Sequence, residues 1–285
     1  MSDVLHAGDT GSDPLSLPDP ATFSSGAHGT VGGKRGALRR AGDRALDTWL
    51  ELSGARRRID ALAAAAPLRD VLVVAIQSPG STLLEPALAE LGASRHRTRF
   101  VTGSTAKLPG GKFQNANVLL DGQPAADWVL VVDDDVELPR GFLDGFVGLA
   151  ERLGLDLAQP AQTLASHAAW RSARRAPLAM ARETNFVEIG PVTAFSRRAA
   201  AELLPFPDLR MGWGLDLHWA ALAAERGWRL GVIDALPVRH ETRRVGGAYA
   251  AAEAAYEAQR FLASRPYLHA SEAGRTLRIH RRVPA

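Results

Sequence analysis

The chain has 285 residues, 46% apolar and 23% charged, with a net charge of +3, enough to bury one large core or two small ones. It holds no Cys, which excludes disulfides, thiolate nucleophiles, zinc–thiolate sites and iron–sulfur clusters. No apolar run nears the roughly 20 residues of a membrane helix, and the first 30 residues lack the basic start and apolar stretch of a signal peptide.

The expectation is therefore a cytoplasmic protein with no transmembrane segment, with peripheral contact at a membrane left open. Of the 34 basic residues only Lys34, Lys107 and Lys112 are Lys. The charges are mixed, without the concentrated basic stripe and interleaved aromatics of a nucleic-acid binder, so no nucleic-acid partner is expected.

Residues 1–37 are rich in Gly, Ser, Pro and Asp and read as a disordered tail. Residues 38–66 read as an N-terminal helix, with Leu46, Trp49 and Leu50 on one face. Ser53-Gly54 interrupts that stripe, and Ile59 and Leu62 resume helical spacing, with a second, shorter helix as the alternative. An α/β domain spans 67–245. It opens with the β-branched run Val71–Ile76, which suits a strand buried on both faces. Leu84, Leu88 and Leu91 predict a helix, Arg99–Val101 a strand, and Asn115–Leu120 a helix.

Trp128–Val132 is the clearest strand and runs straight into Asp133-Asp134-Asp135. Pro139 suits the first turn of the next helix, whose Phe142, Phe146, Leu149 and Leu153 share a face. Leu155–Ala158 predicts a strand, and Thr184–Phe195 a longer one interrupted at Asn185, Glu188 and Pro191. A helix follows from Leu215 to Gly227, then a strand from Trp228 to Asp234. Residues 246–285 read as an Ala-rich helix from Tyr249 and a basic tail. Alternating strands and helices predict an α/β fold with a mostly parallel sheet.

Three carboxylates at the carboxyl end of a buried strand repel one another, and a divalent cation would relieve that. A solvated helix N-terminus is the plainer alternative. A response-regulator receiver also opens this way, but no Asp lies between Leu157 and Pro207 and no Lys follows Lys112. A haloacid-dehalogenase-like phosphatase also needs that later Lys, and it needs Thr or Val where Glu137 stands.

The triplet resembles the Asp-x-Asp motif of nucleotide-sugar glycosyltransferases of the GT-A fold. Three further segments resemble family-two inverting members in order. These are Lys112-Phe113-Gln114-Asn115-Ala116-Asn117, Trp213-Gly214-Leu215-Asp216, and Ile233 to His240 at the final strand. The likeness covers about Leu68 to His240. It departs where many members carry Glu-Asp and this chain has Leu215-Asp216, leaving one carboxylate in that segment.

The resemblance implies a single GT-A-like Rossmann-type domain and transfer from a nucleoside-diphosphate sugar to an unidentified acceptor hydroxyl, with inversion. It implies Mn²⁺ or Mg²⁺ held by Asp133, Asp135 and His240, and Asp216 as general base. Asp134, Lys112, Asn117 and Gln77 are expected on the nucleotide-sugar side. Trp213, Gly214, Glu188 and Asn185 are expected on the acceptor or sugar side, with Arg182 nearby.

The plainer readings stand beside these: a helix cap for Asp216, a surface His for His240, a core ring for Trp213 and a solvated Glu188. A non-catalytic binding module on the same scaffold is the other functional class. A nucleotidyltransferase ranks lower, because Gln77-Ser78-Pro79-Gly80-Ser81 lacks the expected Gly-rich, basic loop.

Overall fold

A strand whose side chains are apolar at both parities must lie between two apolar layers. The computed structural model, which describes residues 17–25, 32–240 and 250–282, places the two such runs side by side in an eight-stranded sheet. The strands are β1 (Asp70–Gln77), β2 (Arg97–Ser104), β3 (Trp128–Val132), β4 (Leu157–Gln162), β5 (Ala181–Thr184), β6 (Val192–Ser196), β7 (Leu230–Val238) and β8 (Thr276–His280). Their order is β2-β1-β3-β6-β4-β7-β5-β8. The pairings make six strands run one way, with β5 and β6 reversed. The fold is α/β, with a mixed sheet in which one direction dominates.

Among the described residues, eight α-helices flank the sheet: α1 (Gly33–Leu52), α2 (Ala55–Ala65), α3 (Leu84–Gly92), α4 (Lys112–Leu120), α5 (Phe142–Arg152), α6 (Arg197–Leu203), α7 (Leu215–Arg226) and α8 (Ala251–Leu262). Alternation along β1 divides the core. Val71 and Val73 face α1, α2, α3 and α5 through Leu50, Ile59, Leu91 and Phe146. Leu72 and Val74 face α4, α6, α7 and α8 through Phe113, Leu203, Trp219 and Phe261. No helix among the described residues is long and apolar enough to cross a membrane.

One irregularity shapes the carboxyl edge. β6 pairs with β3 over five residues but with β4 only at Leu157–Phe195 and Ala158–Ala194. Beyond Ala158 the two strands part, and residues 188–190 fill the notch. There the Glu188 N–H donates to Gln159 Oε1 at 2.5 Å.

Several local expectations change. The segment Thr184–Phe195 is two strands, β5 and β6, placed apart in the sheet. Asn185, Glu188 and Pro191 are the turn between them. α5 begins at Phe142 after Gly141, which has a φ of 68°, so Pro139 precedes the helix. α1 begins at Gly33, ahead of the expected 38, while Gly54 (φ 69°) separates it from α2, the second, shorter helix that the interruption at Ser53-Gly54 allowed.

Within the expected tail, residues 17–25 are docked. Phe23 is buried, and the Ala270 N–H donates to Thr22 O at 2.7 Å. One aromatic side chain supplies the burial that a periodic pattern was expected to supply. The expected basic tail is an edge strand, β8, paired antiparallel with β5. The boundary at 245–246 and the helix start at Tyr249 lie outside the described residues.

Candidate active site

In open α/β sheets the loops at the carboxyl ends of the strands converge, and ligands bind there. In this chain β3 ends at Val132 and delivers Asp133, Asp134 and Asp135 to that edge, while β7 ends at Val238 and delivers His240. One ligand atom from each of Asp133, Asp135 and His240 lies within 4.8 Å of the other two. His240 Nε2 is 3.3 Å from Asp135 Oδ1, and Lys112 Nζ at the start of α4 is 2.6 Å from Asp133 Oδ1. The same ammonium donates to Gly190 O at 3.3 Å, so it bridges the acidic turn and the notch.

The second layer orients His240. Its Nδ1 is 3.2 Å from the carbonyl oxygen of His167, and a proton on Nδ1 leaves the Nε2 lone pair facing the carboxylates. The backbone N–H of His240 donates to Ser166 Oγ at 2.9 Å. Burial alone would lower its pKa, but the bond to Asp135 and the charges of Asp135 and Asp133 carry it above the ordinary value. Burial raises the Asp133 pKa, and the Lys112 charge opposes that.

A pair of buried carboxylates lies next to this cluster. Asp216 is in the first turn of α7, where its Oδ1 accepts the Leu217 N–H at 3.0 Å. Burial pushes its pKa up to about 7, against the opposing pull of the neighbouring N–H groups. Glu188 accepts the Ala169 N–H at 3.3 Å and faces the Gln162 side-chain amide at 3.5 Å. Burial, and then the Asp216 charge, push its pKa up to about 7. A carboxylate with a pKa near neutrality suits proton transfer.

The other expected residues separate into those near the edge and those spent elsewhere. Asp134 is buried and accepts the Ser78 N–H at 2.5 Å, tying the end of β3 to the turn after β1. Gln77 is exposed at the end of β1 and lines a groove of about 810 Å³ between α3 and β2. Trp213 packs against the apolar layer of α7 and α8.

Gly214 has a φ of 88°, and a Cβ there would lie 3.0 Å from Leu262. Gly212, with a φ of 78°, lies so close to Phe113 that a Cβ would meet the ring at 2.1 Å. Both glycines thus serve chain packing.

Three of the expected residues are engaged within the fold. Asn117 donates to and accepts from the backbone of Phe206, both at 2.8 Å, and so pins α4 to that loop. Asn185 does the same to Glu272 O and the Arg275 N–H at 2.8 Å, holding the C-terminal segment. Arg182 forms a buried two-point ion pair with Asp234, both contacts at 2.9 Å. In each case a side chain expected to meet a ligand has its polar atoms satisfied within the fold.

Gln159, Gln162, Ser166 and Trp170 belong to the site and are absent from the sequence reading. Two Gln in a strand buried along its whole length were the available signal, because buried amides need partners.

No family model matches the sequence, and no curated protein matches it. Among solved structures the chain is similar to TarS residues 1–349 of S. aureus, at 12% identity and a TM-score of 0.42 over 61% of this chain and 60% of that one. It is similar to the mannosyltransferase PcManGT of Pyrobaculum calidifontis with GDP-Man and Mn²⁺, at 15% identity and 0.38 over 68% and 64%. It is also similar to GalNAc-T7 with UDP, GalNAc and Mn²⁺, at 12% identity and 0.45 over 85% and 60%. The chain spans about 60% of the length of these proteins. With identities of 15% or less and TM-scores below 0.5, nothing about the chemistry of this chain follows from them.

Proposed function

We propose that the chain is a metal-dependent glycosyltransferase that moves a sugar from a nucleoside-diphosphate sugar to an acceptor hydroxyl with inversion. The observation that carries this is the convergence, at one sheet edge, of Asp133, Asp135 and His240 beside the buried pair Asp216 and Glu188. Two carboxylate oxygens and one imidazole nitrogen fit a divalent cation, and the imidazole favours Mn²⁺ over Mg²⁺. The His167 carbonyl supports this by fixing the ring with Nε2 turned to the carboxylates.

When bound, the cation supplies positive charge against the leaving diphosphate. Lys112 adds a second positive charge at the same place. Asp216 is held by the Leu217 N–H and takes the proton of the acceptor hydroxyl. Glu188 lies beside it and keeps a second carboxylate on the acceptor side. Asp134 holds the turn after β1 in place.

Calorimetry with UDP or GDP tests the first half. Affinity should depend on Mn²⁺, collapse in EDTA, and be lost in Asp135→Ala with the fold intact. Nucleotide binding that ignores both metal and variant would overturn it. Asp216→Asn tests the second half. Nucleotide and metal should still bind, while sugar transfer or donor hydrolysis falls by about 10²–10⁴-fold, the usual worth of a general base. Normal turnover in that variant would make Asp216 a helix cap. Binding without turnover in the unaltered protein would make the chain a binding module.

A further inference from the structure

The first half of α1 holds Lys34, Arg35, Arg39, Arg40 and Arg44 against one acid, Asp43. Asp43 is buried and turned inward, where its carboxylate accepts the N–H groups of Leu164 and Ala165 at 2.8 and 3.1 Å. The outward side of residues 33–44 therefore carries positive charge alone.

At about 100° per residue, Lys34, Leu38 and Ala41 run down the middle of that side. Arg40 and Arg44 lie on one flank and Arg35 on the other. All six are exposed, and Leu38 is 73% exposed.

We infer that this half of α1 docks on an anionic lipid bilayer. Charge complementarity selects an anionic partner. The apolar Leu38 at the centre, flanked by small Ala37 and Ala41, suits shallow insertion between headgroups. A single-stranded nucleic acid would call for aromatic rings on which bases stack, and residues 33–44 contain none.

The placement fits the rest of the molecule. Asp43 braces the loop after β4, and Arg39 Nη1 reaches Leu164 O at 3.5 Å. Two residues further on, Ser166 accepts the His240 N–H. The inward side of α1 thus rests on the loop that leads to the acidic cluster, and the basic side is turned away from it. The docking does not rest on the function proposed above.

The test is sedimentation of the full chain, in EDTA, with mixed phosphatidylglycerol–phosphatidylcholine vesicles and with phosphatidylcholine vesicles alone. The chain should bind only the mixed vesicles, and high salt should release it. Each basic residue at an anionic surface is worth about fivefold in partitioning, so Lys34→Glu/Arg35→Glu/Arg44→Glu, which removes three positive charges and adds three negative ones, should lose more than about 100-fold. Glu at 34 and 35 lies in the first turn of α1, where acids favour a helix, and position 44 is exposed, so the melting temperature should hold.

Should that variant misfold, Lys34→Gln/Arg35→Gln should lose roughly 25-fold. Leu38→Ala should weaken binding severalfold without changing its salt dependence. Equal binding to both vesicle types, full binding by folded charge variants, or tighter binding to an oligonucleotide than to the mixed vesicles would overturn the inference. UDP or GDP binding by the same variants, measured with Mn²⁺, separates this result from the fate of the active-site proposal.

Discussion

Replacing Glu188 with Gln should stabilise the metal-free protein at neutral and alkaline pH and leave it unchanged in acid. Burial, followed by the neighbouring Asp216 charge, raises this carboxyl from its ordinary 4.5 to about 7. At about 1.36 kcal/mol per pH unit, that gap corresponds to about 3 kcal/mol.

Below about 4.5 the group is protonated in both the folded and the unfolded chain, and it imposes no penalty. As pH rises to about 7 the unfolded chain ionises first, so the folded state loses ground, and above that the full penalty applies. The gain from Gln should therefore grow across that window and then level off.

Hydrogen bonding favours the replacement as well. Gln162 Oε1 is buried without a partner beside Glu188, and a Gln amide at 188 can donate to it. Its own oxygen can still accept the Ala169 N–H. Urea denaturation in EDTA across the pH range measures the effect. Unchanged or reduced stability above pH 7, or a gain that persists undiminished in acid, would refute the reasoning.

Phe23→Ala should cost about 3 kcal/mol of stability, measured by denaturant unfolding, since a buried ring is deleted. Asn117→Ala should cost about 2 kcal/mol by losing both bonds to Phe206, with nucleotide affinity unchanged by calorimetry.

The central strands were legible because β-branched runs at both parities leave no face for water, and β1 and β3 fall where those runs lie. The acidic triplet was legible for the same reason: its charge abuts a strand that has no polar face of its own. What was not legible depends on partners remote in sequence. Asn117 and Asn185 look like ligand contacts in isolation, but their amides are met by backbone 89 and 90 residues away. Arg182 is likewise claimed by Asp234, 52 residues on. Phe23 shows no pattern at all, and its pocket exists only once α8 and the segment after it have folded back.

The short contact between β4 and β6 has a mechanical consequence. Asp133 and Asp135 follow β3 on one side of that seam, and His240 follows β7 on the other. A cation held by all three would rivet the sheet across its least-paired junction. Filling the site and closing the seam are then one equilibrium. At a hundredfold excess over Kd, occupancy would add about 2.7 kcal/mol against separation of the two halves. The Glu188 amide, which donates to Gln159 Oε1 just past the point where β4 leaves β6, is where hydrogen exchange would slow first as the rivet is set.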